Sequence, residues 1–229
     1  MARLSDLTKV TAEALDYPRP TVAMFSRVLR DADLLSKKGR GPSAAHATPV
    51  DGARLLTALL ATPTPFAGGR MSQAIECVTD FGALVVEYPD TEVSSFTLGN
   101  AYDLPPRHTF EQAFAAIIAG FADERFGACI MGQKIRTVEV AIADFPLQGM
   151  IVLTNNLYRY RFEAVADWPS LRGAAAEKAR ADFESVSSKY KRGITSHRMI
   201  GFDALRKIAA VINGREVSFE QQITIGDLK

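Results

Sequence analysis

The chain has 229 residues, 47% of them hydrophobic and 23% charged, an ordinary balance for a folded protein with a substantial core and room for one large unit or two modest ones. Lys and Arg (27) exceed Asp and Glu (26) by one, so the molecule as a whole does not advertise a polyanionic partner and any electrostatic case has to be local. The start MARLSDLTKV lacks the apolar stretch of a secretion signal, no segment reaches about 18 uninterrupted apolar residues, and Cys77 and Cys129 lie far apart in apolar surroundings as reduced thiols would, which together point to a cytoplasmic protein with no membrane partner.

In chain order, Leu4, Leu7, Val10, Ala14 and Leu15 recur at helical intervals and predict a helix over 4–16, with Ser5 available as a cap. Tyr17-Pro-Arg-Pro stops it. Val22, Phe25, Val28, Leu29 and Ala32 resume the period and predict a second helix over 21–35, with Pro20 where a helix start tolerates it. Residues 36–47 (SKKGRGPSAAHA) are polar, glycine-bearing and basic. Thr48-Pro-Val-Asp then predicts a capped start to a leucine-rich third helix over 53–61. The prolines and glycines of Thr62-Pro-Thr-Pro-Phe-Ala-Gly-Gly predict a linker over 63–70 between two domains, 1–62 and 71–229.

The second domain reads as a helix over 71–81, strands over 83–88 and 92–98, and a helix over 109–126 in which Thr109 and Gln112 have the form of a capping box. Apolar-polar alternation over 135–145, 150–154 and 157–164, with turns at Pro146-Leu-Gln-Gly and Asn155-Asn156, predicts a small antiparallel meander. A helix over 169–187, a strand over 193–200 and a helix over 202–212 complete a mixed α+β domain. There is no internal repeat and no low-complexity tract.

The run Thr21-Val22 followed by Arg27, Leu29, Arg30, Asp31, Ala32 and Leu34-Leu35 resembles the second half of the winged helix-turn-helix family, whose usual ending is close to T-V-x-x-x-x-R-x-L-R-x-A-G-L-[LIV]. Ala12-Glu-Ala-Leu is similar to the first helix of that family's reading pair. The resemblance covers the first quarter of the chain; Asp33 stands where the family commonly has Gly, and Tyr17-Pro-Arg-Pro replaces a smaller turn. It implies an N-terminal winged helix-turn-helix domain that binds double-stranded DNA. Arg19, Thr21, Ser26 and Arg27 then face a major groove, because recognition helices present their N-terminal residues to base edges. Arg27 suits guanine or phosphate, Arg30 is a further DNA-binding candidate, and Lys37, Lys38 and Arg40 on the glycine-flanked loop suit the DNA backbone or the minor groove, contacts that set affinity and its salt dependence.

The same reading finds no chemistry elsewhere. His46, His108 and His197 are scattered, with no second ligand at metal-binding spacing. Gly39-Arg-Gly-Pro-Ser lacks the Lys-Ser/Thr ending of a phosphate loop, and no G-x-S-x-G elbow is present. No catalytic residue, metal or cofactor is expected, and the chain is read as a non-enzyme. Tyr158-Arg-Tyr-Arg-Phe predicts a strand with its rings on the core and its arginines toward solvent, in preference to a stacking platform for single strands.

The expectation is a sequence-specific double-stranded DNA-binding protein, a transcriptional regulator acting as a homodimer because one short helix makes few base contacts, with residues 71–229 oligomerising or sensing an effector. The alternative is a DNA-handling assembly protein resembling the small terminase subunit of a phage packaging motor, which differs in stoichiometry.

Overall fold

The first three helices form where the apolar periodicity falls: α1 (Leu4–Ala14), α2 (Arg19–Asp31) and α3 (Pro49–Ala61). They belong to a computed structural model that describes residues 2–37, 46–62, 71–87, 103–121, 138–144, 147–153, 156–162, 171–189 and 197–214. Pro18 caps the start of α2 and the chain turns sharply at Asp33, so the helix runs over 19–31 and not the expected 21–35. At that turn Leu34 N–H donates to Leu29 O (2.9 Å) and Asp33 N–H to Arg30 O (3.1 Å), while Asp33 takes the left-handed backbone at φ 61°. This is a Schellman ending with Asp in the position Gly usually fills. The end of α1 repeats it, with Asp16 at φ 52° and Tyr17 N–H donating to Ala12 O at 2.9 Å. Asp serves because its short polar side chain tolerates this region better than most L-residues do.

The remaining described elements are α4 (Met71–Gly82), β1 (Val85–Glu87), α5 (Phe110–Gly120), β2 (Val138–Asp144), β3 (Leu147–Leu153), β4 (Asn156–Arg161), α6 (Ala174–Ser188), β5 (His197–Ile200) and α7 (Phe202–Asn213). The protein is thus mixed α+β, and its strands form one antiparallel sheet in the order β1-β4-β3-β2-β5. The expected strand over 92–98, the far end of the helix expected over 109–126, and Cys129 lie outside the described residues. Cys77 is buried. Among the described residues no helix is long and apolar enough to cross a membrane.

Alternation along the strands sends Val140, Ile142, Leu147, Ile151, Leu153, Tyr158, Tyr160 and Ile200 into the core. The rings of Tyr158 and Tyr160 are buried as expected, with Arg159 and Arg161 on the opposite face. One expectation is corrected here. Pro146-Leu-Gln-Gly is not a four-residue turn: Leu147 pairs with Asp144, and β3 is already under way at Gly149. Gly149 is there for close packing, since a Cβ on it would lie 2.6 Å from Phe110 Cδ2.

Helix α3 packs against α2, α4, α5, α7, β2 and β5, and its buried residues run round the whole circumference, from Asp51 and Gly52 to Leu60 and Ala61. A helix apolar on all sides has to be interior. The buried side chains form one cluster extending from Leu7 and Phe25 through α3 to Tyr160 and Ile212. Residues 63–70 lie outside the described set, and the described buried side chains on either side of them belong to one cluster.

Candidate nucleic-acid interface

At about 100° per residue, Phe25, Leu29 and Val22 point α2 into the core, and the opposite arc is left to Arg19, Ala23, Met24, Arg27 and Arg30. The three arginines fall within about 80° of one another on that arc, and all are exposed. Ala23 lies among them, and Met24 lies about 60° beyond Arg27, past Asp31. Ser26 borders the arc, half-buried. Thr21 does not belong to it. It is only 8% exposed, because its direction falls between those of Phe25 and Val28, and its assignment as a DNA contact is corrected. A helical wheel drawn on Phe25 and Val28 carries that signal.

Around the end of α2 the charges converge. Arg27 Nε lies 3.7 Å from Asp31 Oδ2 and Arg30 Nε 4.0 Å from Asp31 Oδ1. Lys37 reaches back from beyond the Schellman turn to donate to Asp31 O (3.3 Å) and to pair with Asp33. Arg27, Arg30 and Lys37 therefore occupy one side of the molecule, on a ridge where Asp31 and Asp33 offset part of the positive charge. Such exposed pairs contribute little to stability, which leaves the cations able to exchange partners. Lys38 and Arg40 lie outside the described residues.

The basic segment is pinned at both ends. Asp51, 2% exposed in the first turn of α3, accepts from Ser36 N–H (2.7 Å) and Ser36 Oγ (2.9 Å) on one side, and from Thr48 N–H (2.7 Å) and Thr48 Oγ1 (2.7 Å) on the other. Thr48 Oγ1 in turn accepts from Asp51 N–H, completing the capping box that Thr48-Pro-Val-Asp foretells. Four donors satisfy a carboxylate that burial would otherwise make costly. His46 pairs with Arg3 in an antiparallel bridge, and Ala47 N–H donates to Ala2 O (2.9 Å), so the segment runs from the ridge to the start of α1.

Arg54 has a supporting place that sequence reasoning missed. Its Nε and Nη2 grip Glu111 at 2.7 and 3.0 Å, and its Nη1 donates to Leu34 O at 2.9 Å, tying the end of α2 to α5. The hydrogen bond to Glu111, then the charges of Glu111 and Asp51, hold its guanidinium more firmly protonated against the opposing effect of burial. Only a charge at position 54 was visible in the sequence; its partner lies far along the chain.

Away from this face, among the described residues no group of three or more His, Cys, Asp or Glu side chains could hold a metal ion. Buried His108 is instead a packing group. Its Nδ1 lies 3.0 Å from Pro105 O and its Nε2 3.0 Å from the Tyr160 hydroxyl. A carbonyl only accepts, so Nδ1 carries the proton and Nε2 accepts from Tyr160. Burial lowers the pKa of the imidazole and raises that of the phenol well above its usual value.

The fold defines a mixed α+β protein with helices packed on one face of an antiparallel sheet. No known protein family, no characterised protein and no solved structure matches the chain.

Proposed function

We propose that this protein is a sequence-specific double-stranded DNA-binding protein, a transcriptional regulator acting as a homodimer, with α1 and α2 as a helix-turn-helix pair and the loop after Ser36 as its wing. The observation that carries the reading is the exposed arc of α2, where Arg19, Arg27 and Arg30 lie around Ala23, Met24 stands at the edge of that arc, and Lys37 extends the positive face past the helix end. A helix of this length lays such a face in a major groove, where arginine reads guanine and an apolar side chain meets the thymine methyl. The partial charge offset by Asp31 and Asp33 suits reading bases in register better than indiscriminate phosphate binding, in which bare cations would dominate.

The test begins with selection on random duplexes, followed by titration of Arg27→Ala/Arg30→Ala against the selected site. Each arginine contact contributes about 1–3 kcal/mol, so the double variant loses at least about thirtyfold in affinity while its circular dichroism and melting stay at the wild-type values. Undiminished binding by that variant, or a selection that returns no sequence, overturns the reading.

A further inference from the structure

Three consecutive residues carry the chain out of α2, and each is held by something outside that helix. Leu34 O accepts from Arg54 Nη1 at 2.9 Å, Leu35 is buried, and Ser36 donates its N–H and its hydroxyl to Asp51. Asp51 and Arg54 sit three residues apart near the start of α3, on neighbouring positions of one helix face. Arg54 is itself held from a third direction. Its Nε and Nη2 take both carboxylate oxygens of Glu111, in the first turn of α5, so the flat guanidinium is fixed in its plane and the remaining nitrogen, Nη1, is the one turned to Leu34 O. These two side chains are 28% and 27% exposed, whereas the pairs among Arg27, Arg30 and Asp31 join side chains between 52% and 77% exposed. A shielded two-point pair keeps its geometry better than exposed one-point pairs do.

We propose that Arg54 is a positioning residue for the DNA-reading face: with Glu111 setting its plane, it fixes the carbonyl just past the end of α2 and thereby the place of Lys37 beside Asp31. The inference rests on the reading of α2 as the DNA-binding helix. The ion pairs on the ridge are too exposed to hold its end by themselves. Without the hydrogen bond to Leu34 O, the arrangement of residues 34–37 that completes the ridge becomes one of several, and the apparent affinity for DNA falls in proportion to its share of the population. That share drops to roughly a tenth when one hydrogen bond from a charged donor is removed. Glu111 lies beyond the segment that resembles a winged helix-turn-helix, so a side chain from the rest of the molecule then governs how well the N-terminal helices read a duplex.

The test uses the full chain and the duplex returned by selection. Arg54→Glu and Glu111→Arg each set two like charges facing one another between α3 and α5 and lower the melting temperature. Combined, they exchange the partners at unchanged net charge, so melting returns toward the wild-type value, yet a carboxylate at position 54 cannot donate to Leu34 O. The affinity of the combined variant for the duplex stays about tenfold below wild type. Its log affinity falls less steeply with log salt, by about one unit of slope, the share of Lys37. Glu111→Gln keeps the size of the side chain and offers Arg54 one acceptor in place of two; it weakens binding about threefold or more with an unchanged circular dichroism spectrum. That variant decides where the combined one does not regain its melting temperature. Wild-type affinity in the combined variant with melting regained, or in Glu111→Gln, overturns the positioning role and leaves the reading of α2 standing. If selection returns no sequence, or Arg27→Ala/Arg30→Ala binds undiminished, the reading of α2 falls and this inference falls with it.

Discussion

The imidazole of His108 is neutral inside the fold because the Tyr160 hydroxyl and the Pro105 carbonyl use both its nitrogens and burial opposes a charge. Its folded pKa lies below the ordinary 6.5, so as pH falls through that value the unfolded chain takes up a proton first and the folded state loses stability, a loss that continues down to the folded pKa. Above the ordinary value the contribution is complete. The urea midpoint of wild type therefore drops between about pH 7.5 and about pH 5.5, and His108→Gln, which cannot titrate, shows a smaller drop over the same interval. An equal drop in both proteins would remove His108 as the source. At this scale the sequence was half legible. The inward rings of Tyr158 and Tyr160 follow from a strand period of two, whereas nothing near His108 announces a partner 52 residues away. Thr21 was misread because a hydroxyl at a helix start suggests a ligand, while its angular neighbours Phe25 and Val28 decide its direction.

Among the elements, α2 owes its end to a residue in a strained region. Asp33 at φ 61° makes the turn that sends Leu34 back onto the core and brings Lys37 beside Asp31. Asp33→Gly relieves a backbone cost of about 1 kcal/mol and loses only an exposed ion pair, so chemical denaturation finds the variant more stable by about 0.5–1 kcal/mol. A less stable variant would show that Asp33 and Lys37 hold the turn through their charges. Element types were well signalled wherever the side chain that caps or packs is local. Thr109 and Gln112 do form a capping box, with Thr109 N–H donating to Gln112 Oε1 at 2.8 Å. The start of β3 was hidden because Pro-Leu-Gln-Gly has the composition of a turn, and the reason for its glycine is a phenylalanine ring from another element.

For the whole molecule, α3 decides the architecture. Leu55, Leu56 and Leu59 are buried among α4, α5, α7 and the sheet, at about 1.5–3 kcal/mol for each large side chain. A fragment of residues 1–62 exposes those contacts, and circular dichroism on heating finds no cooperative transition in it, whereas the full chain melts in one step. A sharp transition in the fragment would support the division at 63–70. The proline-glycine run suggests a boundary, and the apolarity of residues 53–61 calls for packing partners beyond it, since three short helices offer too little surface to enclose such a segment. Ser36 and Thr48 both bond a single carboxylate, that of Asp51, which fixes the gap that the chain between them must bridge. Lengthening it costs only loop entropy, about 0.6 kcal/mol for each doubling, and leaves that gap unchanged. Natural variation can therefore adjust the length of this basic stretch of sequence, and how many cations it carries, without renegotiating the fold.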